Sequence, residues 1–154
     1  MNKPITVRQA SVSDSDNIAQ FNVKMAWETE EKKLDKEIIS TGVESLFQKP
    51  EYGFYMVAEA DGEVVASLMI TKEWSDWRNG LFWWIQSVYV KPEFRRQGIY
   101  RAMYETVLKL ATNHTDVCGC RLYVEKENTR AQKTYKALGM SETHYKMYEE
   151  VFSE

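Results

Sequence analysis

The first third of the chain shows two kinds of apolar repeat. Apolar and polar residues alternate over residues 5–8, and this pattern predicts a short strand. Helical spacing then appears on either side of the mostly polar stretch 28–37, and it predicts two helices, the first opening at Ser13 with Asp16 as its capping partner. The apolar residues at that spacing are Ile18, Phe21 and Met25 in the first helix and Ile38, Ile39, Val43, Leu46 and Phe47 in the second.

The middle of the chain predicts antiparallel strands. Two β-rich runs surround Asp61-Gly62, a dipeptide that is preferred in tight hairpin turns. The polar segment 72–80 then predicts a loop. The segment 81–90 predicts a long strand that is too apolar to expose one whole face to water.

The last third predicts a crossover helix between two strands, then one more helix and one more strand. The crossover helix carries apolar residues from Ile99 to Leu110, and the next strand covers 120–125; strands joined in this way are parallel. Asn128 caps a helix that Gly139 ends, and 144–152 predicts the last strand. We therefore expect one domain over residues 1–154, of the α/β or α+β class, in which helices flank a mixed, mostly antiparallel sheet with one parallel pair in its middle.

Charge and composition exclude several classes of protein. Lys plus Arg number 20 and Asp plus Glu number 23, so the net charge is −3, whereas a nucleic-acid-binding domain is usually basic. No apolar run reaches the length that crosses a bilayer, and residues 1–10 do not resemble a signal peptide, so we expect a cytoplasmic protein without a membrane partner. Cys118 and Cys120 predict two reduced cysteines and no metal site.

The segment that joins the long strand to the crossover helix has no capping residue. Its helix starts without Ser, Thr, Asp or Asn, so the first N–H groups have no side-chain partner. A phosphate would accept several of these N–H bonds, and Gly98 lets it approach the backbone. Arg95, Arg96 and Arg101 add positive charge. The glycine patterns of a P-loop and of a Rossmann fingerprint are absent. On these residues alone, an anion cradle and a basic surface turn are equally good interpretations.

Two motifs favour the cradle. Val90–Tyr100 reads V-K-P-E-F-R-R-Q-G-I-Y, and Asn128–Met140 reads N-T-R-A-Q-K-T-Y-K-A-L-G-M. With both motifs in this order, the chain resembles the GNAT N-acetyltransferase superfamily, whose signatures are V-x-P-x-x-[RQ]-x-x-G-x-[GA] and N-x-x-A-x-x-x-Y-x-x-x-G-[FM]. Tyr100 departs from the first signature, where a small residue is usual. We expect its side chain to point away and to leave its main-chain N–H accessible.

The resemblance implies a fold and a co-substrate. In this superfamily the two central parallel strands splay apart, and the acyl-CoA arm lies between them like an added strand. The pantetheine then pairs with main chain of the long strand and is approached by Asn128, while the pyrophosphate sits on N–H groups of the helix start. The residues implied to bind acetyl-CoA are Val88, Tyr89, Val90, Arg95, Arg96, Gln97, Gly98, Ile99, Tyr100, Arg101 and Asn128.

The implied reaction is transfer of an acetyl group to a primary amine by direct attack on the thioester. A backbone N–H of the splayed strand can stabilise the charge that develops on the carbonyl oxygen. Tyr135 is the candidate general acid for the leaving thiolate, and a structural tyrosine in the core is the alternative. The general base stays open between a water relay and six acidic residues. These are Glu28, Glu30, Glu31, Glu73, Asp76 and Glu125.

The acceptor is expected to be a small-molecule amine. In this fold the acceptor wall follows the first helix, where Trp27 beside Glu28 offers an aromatic face and a carboxylate to a cation. The residues expected to bind the acceptor are Trp27, Glu28, Glu31 and Gln86. Five tryptophans are many for 154 residues, and packing in the core or at the interface of a homodimer is the other interpretation of most of them.

Other functions remain open at this stage. A non-catalytic acyl-CoA-binding or regulatory module would keep the cradle but would need no proton donor. An acetyltransferase acting on protein N-termini or lysines would use the same chemistry. A nucleic-acid-binding protein is disfavoured by the negative net charge, and a thiol-redox protein by the absence of C-x-x-C.

Overall fold

The computed structural model describes residues 4–153, which form two compact units, one up to residue 122 and the other from residue 123 onward. The strands, all in the first unit, are β1 (Ile5–Gln9), β2 (Gly53–Ala60), β3 (Glu63–Ser75), β4 (Gly80–Val90) and β5 (Val117–Arg121). The helices are α1 (Ser15–Glu30), α2 (Lys36–Phe47), α3 (Ile99–Asn113) and, in the second unit, α4 (Thr129–Ala137). Short 3-10 turns cover Val12–Asp14 and Pro92–Phe94. No helix in the part of the chain described is long and apolar enough to cross a membrane.

The sheet has the strand order β1-β2-β3-β4-β5. The first three pairings are antiparallel and the pairing of β4 with β5 is parallel, which confirms the fold class and the mostly antiparallel, mixed sheet. The strand predicted at 144–152 is wrong, because these residues form no strand in the structure. The described residues of their unit, 123–153, contain one helix and no strand, so the unit offers no neighbouring strand whose main chain could pair with 144–152. The parallel pair therefore closes the described sheet instead of lying in its middle.

The β2–β3 hairpin confirms the turn predicted at Asp61-Gly62. Both residues have positive φ, 54° and 80°, as a type I′ turn requires. The predicted loop at 72–80 is wrong over most of its length. Strand pairing continues to Ser75 opposite Gly80, so that the connection is only 76–79.

β4 bends away from its regular pairing at Ser87. This residue has a φ of 51°, and the register with β3 shifts between Ser67 and Met69, which marks a β-bulge. On its other side, β4 pairs with β5 only as far as Trp84 opposite Arg121. Residues 85–90 therefore extend past the end of the parallel pairing.

An ion cluster fixes the start of α1 on the sheet. Arg8 on β1 donates to both carboxylate oxygens of Asp14, at 2.9 and 3.0 Å, and to Glu59 on β2 at 3.0 Å. The main-chain N–H of Ser11 also donates to Asp14, at 2.8 Å. The cap predicted from Ser13 and Asp16 is therefore wrong, because the capping carboxylate is Asp14 and the helix is entered through a 3-10 turn.

The core on one sheet face is covered by α1 and α2. Ile18 and Val43 from these helices pack against Tyr55 and Val57 of β2, with Met69 of β3 at the margin. The α3 helix buries its own apolar stripe against β1, β2, β4 and β5. This arrangement confirms the apolar spacing predicted for α1 and α3 and most of that predicted for α2. Ile38 is the exception, because its side chain in the first turn of α2 is exposed.

Candidate active site

The start of α3 is an open turn, as predicted. Gly98 occupies the N-cap position with a φ of 79°, and no side chain caps the helix. The first helical main-chain bond runs from Ala102 N to the Gly98 oxygen at 3.0 Å, so the N–H groups before it have no helical acceptor. Arg96 also has a left-handed backbone, with a φ of 64°. Left-handed residues turn successive N–H groups toward one side, and such a nest binds anions.

The charged side chains around this turn have different partners. Arg101 pairs with Glu105, one turn along α3, at 3.1 Å. Arg95 reaches back to the end of β4, where its Nε donates to the Val90 carbonyl at 2.8 Å. The other end of its guanidinium pairs with Glu28 of α1 at 2.8 Å. The turn is therefore anchored both to the strand before it and to α1.

Glu28 joins α1 to the cradle. Its second oxygen accepts from the buried Tyr89 hydroxyl at 3.3 Å, and the guanidinium of Arg95 lies over the Tyr89 ring at 5.4 Å. Burial, and then the Glu28 carboxylate, raise the pKa of Tyr89. The sequence predicts Glu28 at the acceptor and Arg95 at the pyrophosphate, whereas the structure brings the two side chains into direct contact.

Within the residues that the structure describes, the last residues of β4 have one main-chain edge without a strand neighbour. The segment Val88–Val90 lies past the last parallel pair with β5, and the Val90 carbonyl accepts from Arg95. Tyr89 is buried and stacks on Phe21 of α1 with ring centroids 5.2 Å apart. Neighbouring residues of a strand point to opposite faces, so Val88 and Val90 lie on the face away from Tyr89.

The large residue at position 100 packs along its own helix. The Tyr100 ring meets Tyr104, one turn on, edge to face with centroids 6.3 Å apart. Ile99 beside it is buried. This packing agrees with the expectation that Tyr100 points away from the open turn. Gln97 donates to the Glu93 carbonyl at 3.2 Å and so braces the turn from within.

The second unit is built on the second motif. The side-chain oxygen of Asn128 accepts from Ala131 N at 3.1 Å, which confirms Asn128 as the cap of α4. Gly139 has a φ of 98° and follows the helix, as predicted. The Tyr135 side chain is half-buried, and its carbonyl accepts from Met140 N at 3.0 Å. The amide oxygen of Asn128 is thus occupied by its own helix, which leaves the amide NH₂ for other partners.

The expected acceptor residues at the end of α1 do not share a helical face. Trp27 and Glu28 lie in the last turns of the helix, and Trp27 is exposed. Glu31 is the C-cap, with a left-handed φ of 50°, so helical spacing no longer relates it to Glu28. The two carboxylates are therefore positioned by different backbone geometries.

Gln86 belongs to a polar group on β3, β4 and β5 that sequence reasoning missed. It donates to Thr71 at 2.6 Å. Nearby, one oxygen of Glu73 accepts from the Trp84 indole at 2.8 Å and from Arg121 at 2.9 Å. The sequence predicts Glu73 only as one of several candidate bases and gives no role to Arg121. The signal that could have indicated Arg121 is its charge, since the other residues of β5 are uncharged.

Three of the five tryptophans are exposed: Trp27, Trp74 and Trp77. Trp83 is buried and Trp84 is half-buried, so the core accounts for two of the five at most. Packing of the exposed tryptophans at a homodimer interface stays a prediction. Both cysteines are free, as expected. Burial raises the pKa of the Cys120 thiol, whereas Cys118 is exposed.

Comparisons with known proteins agree with this arrangement. The pattern of the Acetyltransferase (GNAT) family matches residues 15–140. A thialysine N-epsilon-acetyltransferase of Bos taurus is 33% identical over 148 residues, covering 88% of this chain and 83% of its own. A structure described as a possible acetyltransferase from Clostridium difficile 630 has a TM-score of 0.90 at 45% identity, covering 97% of this chain and 99% of its own.

A more distant structure shares the fold alone. It is an aminoglycoside N-acetyltransferase in complex with CoA, with a TM-score of 0.76 at 18% identity, covering 99% of this chain and 98% of its own. The family match covers both motifs, the open turn at Gly98 and the strand edge before it. This chain therefore belongs to the GNAT acetyltransferase family.

Proposed function

We propose that this protein is an acetyl-CoA-dependent N-acetyltransferase that acetylates a primary amine of a small molecule. The observation that carries the proposal is the uncapped, left-handed turn at Gly98, which lies a few residues after the part of β4 that β5 no longer pairs with. A turn whose first N–H groups have no helical acceptor suits a pyrophosphate, and a strand edge beyond the parallel pairing suits the amides of pantetheine.

The residues present fit acetyl-CoA as co-substrate. A Cβ built on Gly98 would meet no atom within 4 Å, so the space in front of the turn is open. The N–H groups from Arg96 to Arg101 would hold the pyrophosphate, and the main chain of Val88–Val90 would hold the pantetheine arm. Arg95 would add positive charge, and Asn128 would contribute through its amide NH₂. The roles of Asn128 and Tyr135 rest on the second family motif.

Acetyl-CoA supplies an activated acetyl group, and the chain supplies positioning and proton handling. The bulge at Ser87 turns the β4 backbone out of its regular pairing, which presents an N–H for the carbonyl oxygen of the acetyl group. We assign Tyr135 as the donor of the proton that the thiolate accepts. A carboxylate or a bound water takes the proton that the attacking ammonium must lose.

The acceptor is proposed to be a small cation. Trp27 offers an exposed aromatic face at the end of α1, and Glu31 and Gln86 supply polar groups. The bovine relative is named for thialysine, a small amine, which supports the same class of acceptor. Glu28 is better placed as a positioning residue, because both of its oxygens contact residues of the cofactor segment.

The test is a turnover screen with acetyl-CoA that measures release of the CoA thiol. It covers amino acids, polyamines, aminoglycosides and peptide N-termini, with a blank for the protein's own exposed Cys118. We expect acetylation of small cationic amines. Tight binding of acetyl-CoA with no turnover on any amine would instead indicate a non-catalytic binding module. Preference for peptides would indicate a protein acetyltransferase.

A further inference from the structure

The polar group on β3, β4 and β5 lies on one face of the sheet. Cross-strand partners share a face, and Thr71 pairs with Trp84, which in turn pairs with Arg121. Glu73 likewise pairs with Phe82. This is the face whose other end carries the core formed with α1 and α2, since Met69 precedes Thr71 by two residues. The group therefore continues that face beyond the apolar core.

Its centre is an ion pair that is accessible to a ligand. Arg121 and Glu73 are 2.9 Å apart, with side-chain exposures of 24% and 44%. The guanidinium carbon of Arg121 lies over the Phe82 ring, 3.6 Å from its centroid. Gly119 makes this stacking possible, because a Cβ there would lie 2.8 Å from the ring. The Arg121–Glu73 pair is thus packed against Phe82 and is still partly exposed to solvent.

Both charged groups have hydrogen-bonding capacity left. One oxygen of Glu73 accepts from Trp84 and Arg121, and the other makes no hydrogen bond to any residue that the structure describes. Arg121 uses one of its three nitrogens, and within residues 4–153 the other two make none. A fork of two guanidinium N–H groups is matched by a carboxylate, and a carboxylate oxygen by an ammonium.

We propose that Glu73 and Arg121 bind the α-ammonium and α-carboxylate of an amino-acid acceptor, and that acetylation occurs on its side-chain amine. The inference rests on the proposed function. Opposite charges about 3 Å apart fit the head group of an α-amino acid, in which the two charges are separated by one carbon. A diamine without a carboxylate would leave the free nitrogens of Arg121 without a partner.

The same contacts determine which amine reacts. An ammonium held against the Glu73 carboxylate is stabilised in its charged form, so it has no lone pair for attack. The side-chain ammonium first loses one proton to a base, and the resulting amine forms the C–N bond to the acetyl carbon while the C–S bond of acetyl-CoA breaks. The new amide nitrogen then loses a second proton, which balances the one gained by the thiolate, so that the net reaction releases one proton and requires no other reactant.

The experiment compares acceptors that differ only in the carboxylate. Thialysine is paired with bis(2-aminoethyl) sulfide, lysine with 1,5-diaminopentane and ornithine with 1,4-diaminobutane. The kcat/KM ratio of amino acid to diamine is measured by thiol release, and the acetylated nitrogen is identified by fragmentation mass spectrometry. We expect ratios of about ten or more in the wild type, since one charge-assisted hydrogen bond can supply such a factor, and acetylation on the side-chain nitrogen.

Variants separate the ion pair from the general charge of the region. Arg121→Gln is expected to bring the kcat/KM ratio of amino acid to diamine close to one. Arg121→Lys keeps the charge and loses the guanidinium fork, so its ratio is expected to lie between that of Arg121→Gln and that of the wild type. Arg78→Gln is the matched control, since Arg78 also lies over the Phe82 ring, at 5.0 Å, but does not contact Glu73. It should keep the wild-type ratio.

The outcomes that overturn the inference differ from the one that overturns the function. Equal turnover of amino acids and diamines, an unchanged ratio in folded Arg121→Gln and Arg121→Lys, or acetylation on the α-nitrogen would each reject the amino-acid site and leave the acetyltransferase intact. Turnover of no amine in either series, nor of any amine in the wider screen, would reject the acetyltransferase and the inference with it.

Discussion

Replacement of Asp14 by Asn tests how α1 is fixed to the sheet. Asp14 accepts two hydrogen bonds from Arg8 and one from the Ser11 N–H, and only 8% of its side chain is exposed. Asparagine keeps the shape and one acceptor oxygen, but it removes the charge and one of the Arg8 bonds. The Arg8 guanidinium keeps Glu59 as a partner, so it is not left alone.

The expected loss of stability is about 2 kcal/mol. A hydrogen bond to a charged group contributes about 1.5–3 kcal/mol and a neutral one about half as much. One lost bond and two weakened bonds would together exceed this value, and we take about 2 kcal/mol because the Arg8 side chain is 34% exposed and solvent screens it. For a chain of this size the loss corresponds to a Tm about 4–8 °C lower.

The assay is thermal unfolding followed by circular dichroism at neutral pH and in acid. Arg8 lowers the pKa of Asp14, so the stabilisation is present above the unfolded pKa, about 4. It is lost as the pH falls through the folded value. The Tm difference between wild type and variant should therefore shrink below about pH 4. The control is Asp16→Asn, a change at an exposed carboxylate in the first turn of α1.

Two results would refute the reasoning on α1. One is an equal change in Tm for Asp14→Asn and Asp16→Asn, because Asp14 is the one of these two carboxylates that pairs with Arg8. The other is a Tm difference that grows as the pH falls. Because the folded-state pKa of Asp14 is lowered, protonation in acid removes its stabilising contribution and must make the difference smaller.

Three further predictions follow from the candidate site. Tyr135→Phe should lower kcat by a factor of about a hundred to ten thousand with the KM for acetyl-CoA little changed; wild-type turnover would make Tyr135 structural. Glu28→Gln should raise the KM for acetyl-CoA by up to about fivefold, since a partly exposed ion pair such as Arg95–Glu28 contributes up to about 1 kcal/mol. Glu30→Gln is the control, and an effect on the KM for the amine alone would indicate that Glu28 binds the acceptor. A thiol reagent followed by mass spectrometry should modify Cys118 before Cys120, and equal rates would argue against the burial of Cys120.

The features that were predicted correctly from sequence are local. The Asp61-Gly62 turn, the Asn128 cap and the uncapped start at Gly98 each depend on the backbone preferences of one or two residues. Apolar spacing was sufficient for α1 and α3, because each buries one stripe. The motifs and the turn also indicate the segment that we propose binds acetyl-CoA.

The features that were missed depend on partners distant in sequence. Arg95 meets Glu28 across 67 residues, and Arg121 meets Glu73 across 48. No periodicity encodes such pairs, since they follow from strand register and from the position of α1. The last predicted strand failed for a related reason, because the residue types at 144–152 do not supply a neighbouring strand for pairing.

The central claim, that the turn at Gly98 holds the pyrophosphate of CoA, is tested most directly by calorimetric titration of CoA into three proteins. Gly98 and Gly62 have φ values of 79° and 80°, and a Cβ on either would meet nothing within 4 Å. Gly98→Glu and Gly62→Glu therefore impose the same backbone strain and the same charge at two sites, and circular dichroism checks that both fold. We predict that CoA affinity falls at least about tenfold, or 1.4 kcal/mol, in Gly98→Glu and is unchanged in Gly62→Glu. Wild-type affinity in Gly98→Glu, or an equal loss in both variants, would contradict the claim.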